Sequence, residues 1–247
     1  MRSRRGLRSL AVALSSTFVG SVAEAGPWSP ASGTSYQQAS LNTVNVGDRD
    51  EYAASYYGEY GLGSGWAFVA SIPFRFSEAS RDRPNGLPGE DFFALTPTAG
   101  LRYQLLRGPL VLALQSDLGL PLSGGVFDLT NQVLAGTTLA RGRVFLQTGA
   151  GLRLRTQDAG HEAIWSADAG VWLGSSVLAI ASGRGRYQLE PDPRARRPEF
   201  ENRVGTQWLY RFDGSVDVGI EVLYTLPHDT VAEGLSTTGY IAFWTGS

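Results

Sequence analysis

Alternation with a period of two runs through almost the whole chain beyond residue 34, in stretches longer than soluble strands usually reach. Leu95, Pro97, Ala99, Leu101, Tyr103 and Leu105 alternate with Thr96, Thr98, Gly100, Arg102 and Gln104. Successive side chains of an extended chain point to opposite faces, so this spacing gives one apolar face and one polar face. The split recurs at Trp66, Phe68, Ala70, Ile72, Phe74 and Phe76 against Ser71 and Arg75. It recurs again at Val216, Val218, Ile220, Val222 and Tyr224 against Asp217, Gly219 and Glu221. Twelve such segments can be traced, near 35–46, 50–62, 65–77, 92–106, 109–121, 130–140, 142–154, 161–174, 176–188, 199–211, 214–225 and 235–245, and most have 11–15 residues. A tilted strand crossing a bilayer needs about 9–11 residues, whereas strands of soluble domains usually have about 5–6. The expected fold class is all-β: a transmembrane antiparallel up-and-down β-barrel of about twelve strands, occupying 35–247.

The connections agree. Gly61–Gly65, Arg107–Gly108, Arg141, Gly174–Ser175 and Asp213–Gly214 are short, and most carry the glycine that tight hairpins require. Longer links lie between them at 78–91, 122–129, 155–160, 189–198 and 226–234, with 46–50 short where a long one was due. Outer-membrane barrels have short periplasmic turns and longer outer loops, and an even strand number leaves both termini in the periplasm. On this topology Trp66, Tyr103, Tyr210 and Trp244 fall at periplasmic strand ends, and Tyr52, Phe76, Tyr187 and Tyr224 at outer ends, as two interfacial girdles would. The rival fold is a secreted soluble sandwich or lipocalin-like barrel, which would have to fill a core against the apolar faces of twelve long strands.

The first 25 residues read as a signal peptide, cleaved after Ala25. Arg2, Arg4, Arg5 and Arg8 give a basic start, Leu10 to Val22 an apolar run, and Ala23-Glu24-Ala25 the small residues of a cleavage site. Residues 26–34, mostly Gly, Pro, Ser and Ala, read as a flexible lead-in. The expected location is the outer membrane of a Gram-negative cell, with membrane lipids and the barrel-assembly machinery as partners; Thr237, Gly239, Phe243 and Trp244 resemble the terminal signal which that machinery reads. Lysine is absent, so all 21 basic residues are arginine. Removing the leader takes four Arg and one Glu and leaves 17 basic against 22 acidic residues, near −5, which argues against a nucleic-acid partner.

Three stretches carry a family resemblance: Tyr60 to Phe76 (YGLGSGWAFVASIPFRF), Ala99 to Gly125 (AGLRYQLLRGPLVLALQSDLGLPLSGG) with its approach from Leu95, and Leu146 to Arg153 (LQTGAGLR). They resemble the outer-membrane family of the MetA pathway of phenol degradation, with its Tyr-Gly-Leu turn, its strand ending in an apolar residue plus Pro, and its Leu-Arg-Tyr strand. The family's Gly-Leu-Gly-Asp before the Leu-Arg-Tyr strand is replaced here by Glu90-Asp91-Phe92-Phe93. The resemblance implies an outer-membrane channel for small, often aromatic or hydrophobic, compounds.

The chain has no cysteine and only two histidines, His161 and His228, neither close in sequence to a serine that it could activate. Both read as loop histidines; no catalytic residue, metal ligand or cofactor site is assigned, and no enzymatic activity is expected. Gly61-Leu62-Gly63-Ser64-Gly65 has no helix after it and is a turn rather than a phosphate cradle. The informative set is the polar face. The candidate pore-lining residues are Glu59, Arg75, Arg102, Asp117, Arg153, Arg155, Asp168, Arg203, Asp217 and Glu221. Near the outer mouth Arg75, Arg153, Arg155 and Arg203, joined by Arg184 and Arg186 if the ninth segment keeps register, stand against Glu51, Glu162 and Glu201. That count favours anions, unless the charges pair into a lattice. The expected function is passive passage of a small solute, aromatic or anionic compounds being the candidates. A closed structural or surface-interaction barrel is the alternative, and an outer-membrane lipid-modifying enzyme a distant third.

Overall fold

The computed structural model describes residues 28–46, 49–78, 92–95, 97–120, 127–156, 160–189, 200–212, 215–227 and 234–245. The leader and His228 lie outside them, as do most residues of the long links. Thirteen strands form one antiparallel sheet: β1 (Ser35–Val46), β2 (Arg49–Gly63), β3 (Trp66–Glu78), β4 (Phe92–Leu95), β5 (Thr98–Leu106), β6 (Leu110–Gly119), β7 (Asp128–Leu139), β8 (Val144–Arg155), β9 (Glu162–Leu173), β10 (Val177–Gln188), β11 (Phe200–Phe212), β12 (Val216–Thr225) and β13 (Gly234–Thr245). The expected strand 92–106 is split. Phe74 pairs with Leu95 and Ser71 with Thr98, so register continues across the break. Pro73 and Pro97 both fall inside it, and neither carries an N–H for the ladder. β4 and β5 thus occupy one position, and the barrel has twelve.

Closure is complete. β1 pairs with β13 from Ser35↔Thr245 to Val46↔Gly234, and with β2 on its other side. No sheet edge remains open along β1, the usual liability of long strands. One end of the barrel carries the tight connections, such as β9–β10 through Gly174 at φ +81°. The other carries the longer ones, together with the short β1–β2 link. These are the turn end and the loop end.

Alternation is realised as expected. On β8, Leu146, Leu152 and Leu154 are exposed, while Phe145, Gln147, Arg153 and Arg155 face inward. Two separate ring pairs sit at the turn end: Trp66 lies against Tyr103 at 4.6 Å, and Tyr210 meets Phe212 edge-on at 4.5 Å. Tyr52, Tyr187 and Tyr224 are exposed toward the loop end, and the side chain of Phe76 lies outside the described residues. Trp244 corrects the expected girdle. Its register partner is the buried Tyr36, its ring sits 4.4 Å from that of Tyr36, and its indole N–H donates to Asp217 inside the barrel at 3.0 Å. The indole donor requires an acceptor, and Asp217 is on the inner face.

Strand glycines make room for rings. A Cβ on Gly170 would sit 2.0 Å from the ring of Phe145, and one on Gly219 would sit 2.1 Å from that of Tyr240. Gly61 has a different reason. A Cβ there would lie 2.0 Å from the carbonyl oxygen of Ala31, because residues 30–31 pass over the inner wall at the turn end. Gly33 N–H donates to Gly61 and Gly61 N–H to Thr34, each at 2.9 Å, which extends the wall before the chain turns inward.

Candidate functional site: the barrel lumen

Nine of the ten expected lumen residues face inward; for the tenth, Arg75, the side chain lies outside the described residues. Seven of them belong to two groups of different construction, and Asp117 and Asp168 lie outside both.

At the turn end the charges are sealed. Arg102 grips Glu59 with two bonds of 3.0 and 2.9 Å, and the pair is 3% and 0% exposed. Its other N–H groups donate to Gln115 at 2.8 Å, to the Tyr57 hydroxyl at 3.2 Å and to the carbonyl of Trp28 at 3.1 Å. That makes five bonds for the five donors of a guanidinium. Tyr57 also donates to Glu59. Arg211 binds both oxygens of buried Asp217 at 2.8 Å and lies over the Trp172 ring, 5.1 Å from its centre. A buried carboxylate left alone would be costly, so each is paired and hydrogen-bonded.

Toward the loop end, acids and arginines alternate around five strands. Asp128 on β7 meets Arg155 at 3.3 Å, and Arg155 meets Glu162 at 2.9 Å. Glu162 also takes Arg153 at 3.2 Å and Arg186 at 3.1 Å. Arg186 continues to Glu201 at 2.7 Å, and Glu201 to Arg203 at 2.6 Å. Glu162 is buried, whereas Arg153 and Arg203 are about one-third exposed to the lumen. Arg184, half exposed, pairs with Glu221 at 2.9 Å.

The ninth strand of the barrel therefore keeps register, with Arg184 and Arg186 inward. Leu178 and Ile180 share that parity because the turn-end wall is apolar there. They are buried with Phe145, and Trp172 and Leu209 pack against them. This apolar patch is the feature that sequence reasoning missed; its signal was the parity shared with Arg184. The arginine excess also shrinks. Among the described residues Asp128 and Glu221 join Glu162 and Glu201, so that five arginines stand against four acids and each of the five is paired; the side chains of Arg75 and Glu51 lie outside the described residues. His161 accepts the backbone N–H of Arg155 at its Nδ1, 3.2 Å away, and so helps hold the end of β8.

Between the two groups lies open volume. One cavity of about 260 Å³ is bordered by the apolar patch, by Tyr36 and Trp244, and by Asp168 and Arg184. A second of about 200 Å³ is bordered by Gln115, Gln132 and Gln147, and shares Tyr57, Gln147, Asp168 and Arg184 with the first.

Known structures share this architecture. The KdgM porin in complex with disordered oligogalacturonate superposes with a TM-score of 0.60, at 5% identity, over 83% of this chain and 98% of that one. The NanC porin superposes at 0.60, with 11% identity, over 84% and 98%. The COG4313 outer membrane channel from Pseudomonas putida superposes at 0.63, with 10% identity, over 88% and 97%. The chain shares the closed antiparallel barrel fold of these proteins. No protein-family model and no curated protein matches the sequence, so the MetA-pathway resemblance stands on its short motifs alone.

Proposed function

We propose that the chain is an outer-membrane channel for passive passage of small solutes carrying an aromatic or apolar part, exported by residues 1–25 and cleaved after Ala25. The observation that carries this reading is the wall of the larger cavity. Phe145, Leu178 and Ile180 face Gln and Tyr polar groups across the same space. A lumen that only had to be satisfied and closed would pair polar groups throughout. An apolar strip beside hydrogen-bonding groups matches a solute with both characters. The fold neighbours add support, since they are porins and a channel, one of them in complex with an oligogalacturonate. On this reading the exposed leucines and aromatics contact lipid, and the barrel is inserted with its turn end in the periplasm.

Liposome swelling tests it. Vesicles containing the refolded mature chain should swell faster in zwitterionic phenylalanine, which crosses the bare bilayer only slowly, than in a sugar of equal osmolarity, relative to empty vesicles. Equal rates with and without protein for every solute contradict the channel.

A second reading, a barrel closed to solutes, is favoured by one observation. Residues 28–31 cross the inner wall at the turn end, where Arg102 holds the carbonyl of Trp28 and Ser29 donates to the carbonyl of Gly65 at 3.2 Å. Removing that segment separates the readings.

A further inference from the structure

Every inward arginine among the described residues is ion-paired: Arg102, Arg153, Arg155, Arg184, Arg186, Arg203 and Arg211. Two inward carboxylates among those residues, Asp117 and Asp168, have no arginine partner within ion-pair distance. Gln115 donates to Asp117 at 2.8 Å, and Asp117 borders neither cavity. Asp168 borders both. Gln147 donates to its Oδ2 at 2.7 Å, and its Oδ1 has no hydrogen-bond partner. The buried Ser182, directly across the ladder, leaves its Oγ without a partner too.

The larger cavity thus carries a sign. Its charged border consists of Arg184, Arg211, Asp168, Asp217 and Glu221. Arg211 is matched to Asp217 and Arg184 to Glu221, which leaves the charge of Asp168 uncompensated. The rest of the border combines rings and aliphatic side chains, with Tyr36, Phe145 and Trp244 among the rings, and the neutral polar groups of Gln38, Gln147, Gln207 and Thr238. An inorganic cation would meet Asp168 but leave the apolar part of the wall unused, and a carboxylate would face an unpaired carboxylate. An ammonium carrying an apolar group satisfies both features, with its charge toward Asp168 and its apolar surface against the rings. Aromatic faces attract cations through their quadrupole, most strongly where water is displaced.

We propose that the larger cavity is a binding subsite for a small organic ammonium ion, with Asp168 as its counter-charge. The proposal rests on the channel reading for its role in passage, but binding itself can be measured without any current. It replaces the anion preference expected from the arginine count, since those arginines are already neutralised.

The test uses the full mature chain refolded in detergent, titrated with benzyltrimethylammonium, benzyl alcohol and benzoate while tryptophan fluorescence is followed. Trp244 borders the cavity and serves as reporter. The ammonium should bind more tightly than the neutral alcohol, and benzoate most weakly. Asp168→Asn should weaken ammonium binding about tenfold, a conservative figure for one charge lost at roughly 4 Å in a partly screened site. Asp168→Glu should restore most of it. Heat-dependent gel mobility confirms that each variant is folded; if Asp168→Asn does not fold, the order of the three probes on the wild type decides alone. Benzoate binding as tightly as the ammonium overturns the subsite, as does unchanged binding in folded Asp168→Asn. Ammonium binding without conductance contradicts only the channel reading; conductance without ammonium binding contradicts only the subsite.

Discussion

The two ends of the lumen use the same chemistry, arginine against carboxylate, for different ends. At the turn end the Glu59–Arg102 pair is sealed and every guanidinium N–H of Arg102 is used. At the loop end the acids are shared, one buried glutamate serving three arginines, and Arg153, Arg186 and Arg203 reach open space while Arg155 does not. A sealed pair cannot lose one member without stranding the other, whereas an exposed one is rescued by water and salt. The difference teaches that charge in a barrel interior is structural where it is buried, and free to act on solutes only where it is accessible.

The sharpest break of this comparison is Arg102→Leu, which strands Glu59. The loss should be about 3–5 kcal/mol, as for other broken buried pairs. It would be read as a lower urea midpoint for loss of the heat-modifiable form. A midpoint within error of wild type would show that the turn end is wet. Glu162→Gln should come next, because it leaves Arg153, Arg155 and Arg186 facing one another while the lumen supplies partial screening. Its destabilisation should shrink as salt rises toward 1 M, where the Debye length falls to about 3 Å. A salt-independent loss would put Glu162 in the sealed class. Deleting residues 28–33 should raise single-channel conductance with a small change in stability, since it removes the Trp28 and Ser29 contacts but leaves the β1–β13 closure intact. Unchanged conductance would show that the segment does not narrow the pore. Smallest of all, Arg203→Gln should cost no more than about 1 kcal/mol, the range of exposed pairs.

The twelve-strand architecture was legible in the sequence because strand alternation is local: Leu101 and Arg102 need only their neighbours in the chain to be assigned to opposite faces. The barrel's inward charges followed from the same parity. What one strand does not carry is its partner. Asp128 and Glu221 lie far in sequence from Arg155 and Arg184, so the neutralisation of the arginines emerged only with register and closure. Trp244 was misplaced because its indole donor finds Asp217 across the neighbouring strand. Leu178 and Ile180, on the parity of Arg184, form an apolar patch inside the lumen, which breaks the rule that polar faces point inward.

The most direct test is planar-bilayer recording of the refolded mature chain across a tenfold KCl gradient. Current steps should be small, grow when residues 28–33 are removed, and reverse near zero or on the cation side, because the arginines are paired and Asp168 is not. Strong anion selectivity would show that the loop-end arginines act as free charges. Silence from heat-modifiable barrels, with or without residues 28–33, would contradict the channel itself.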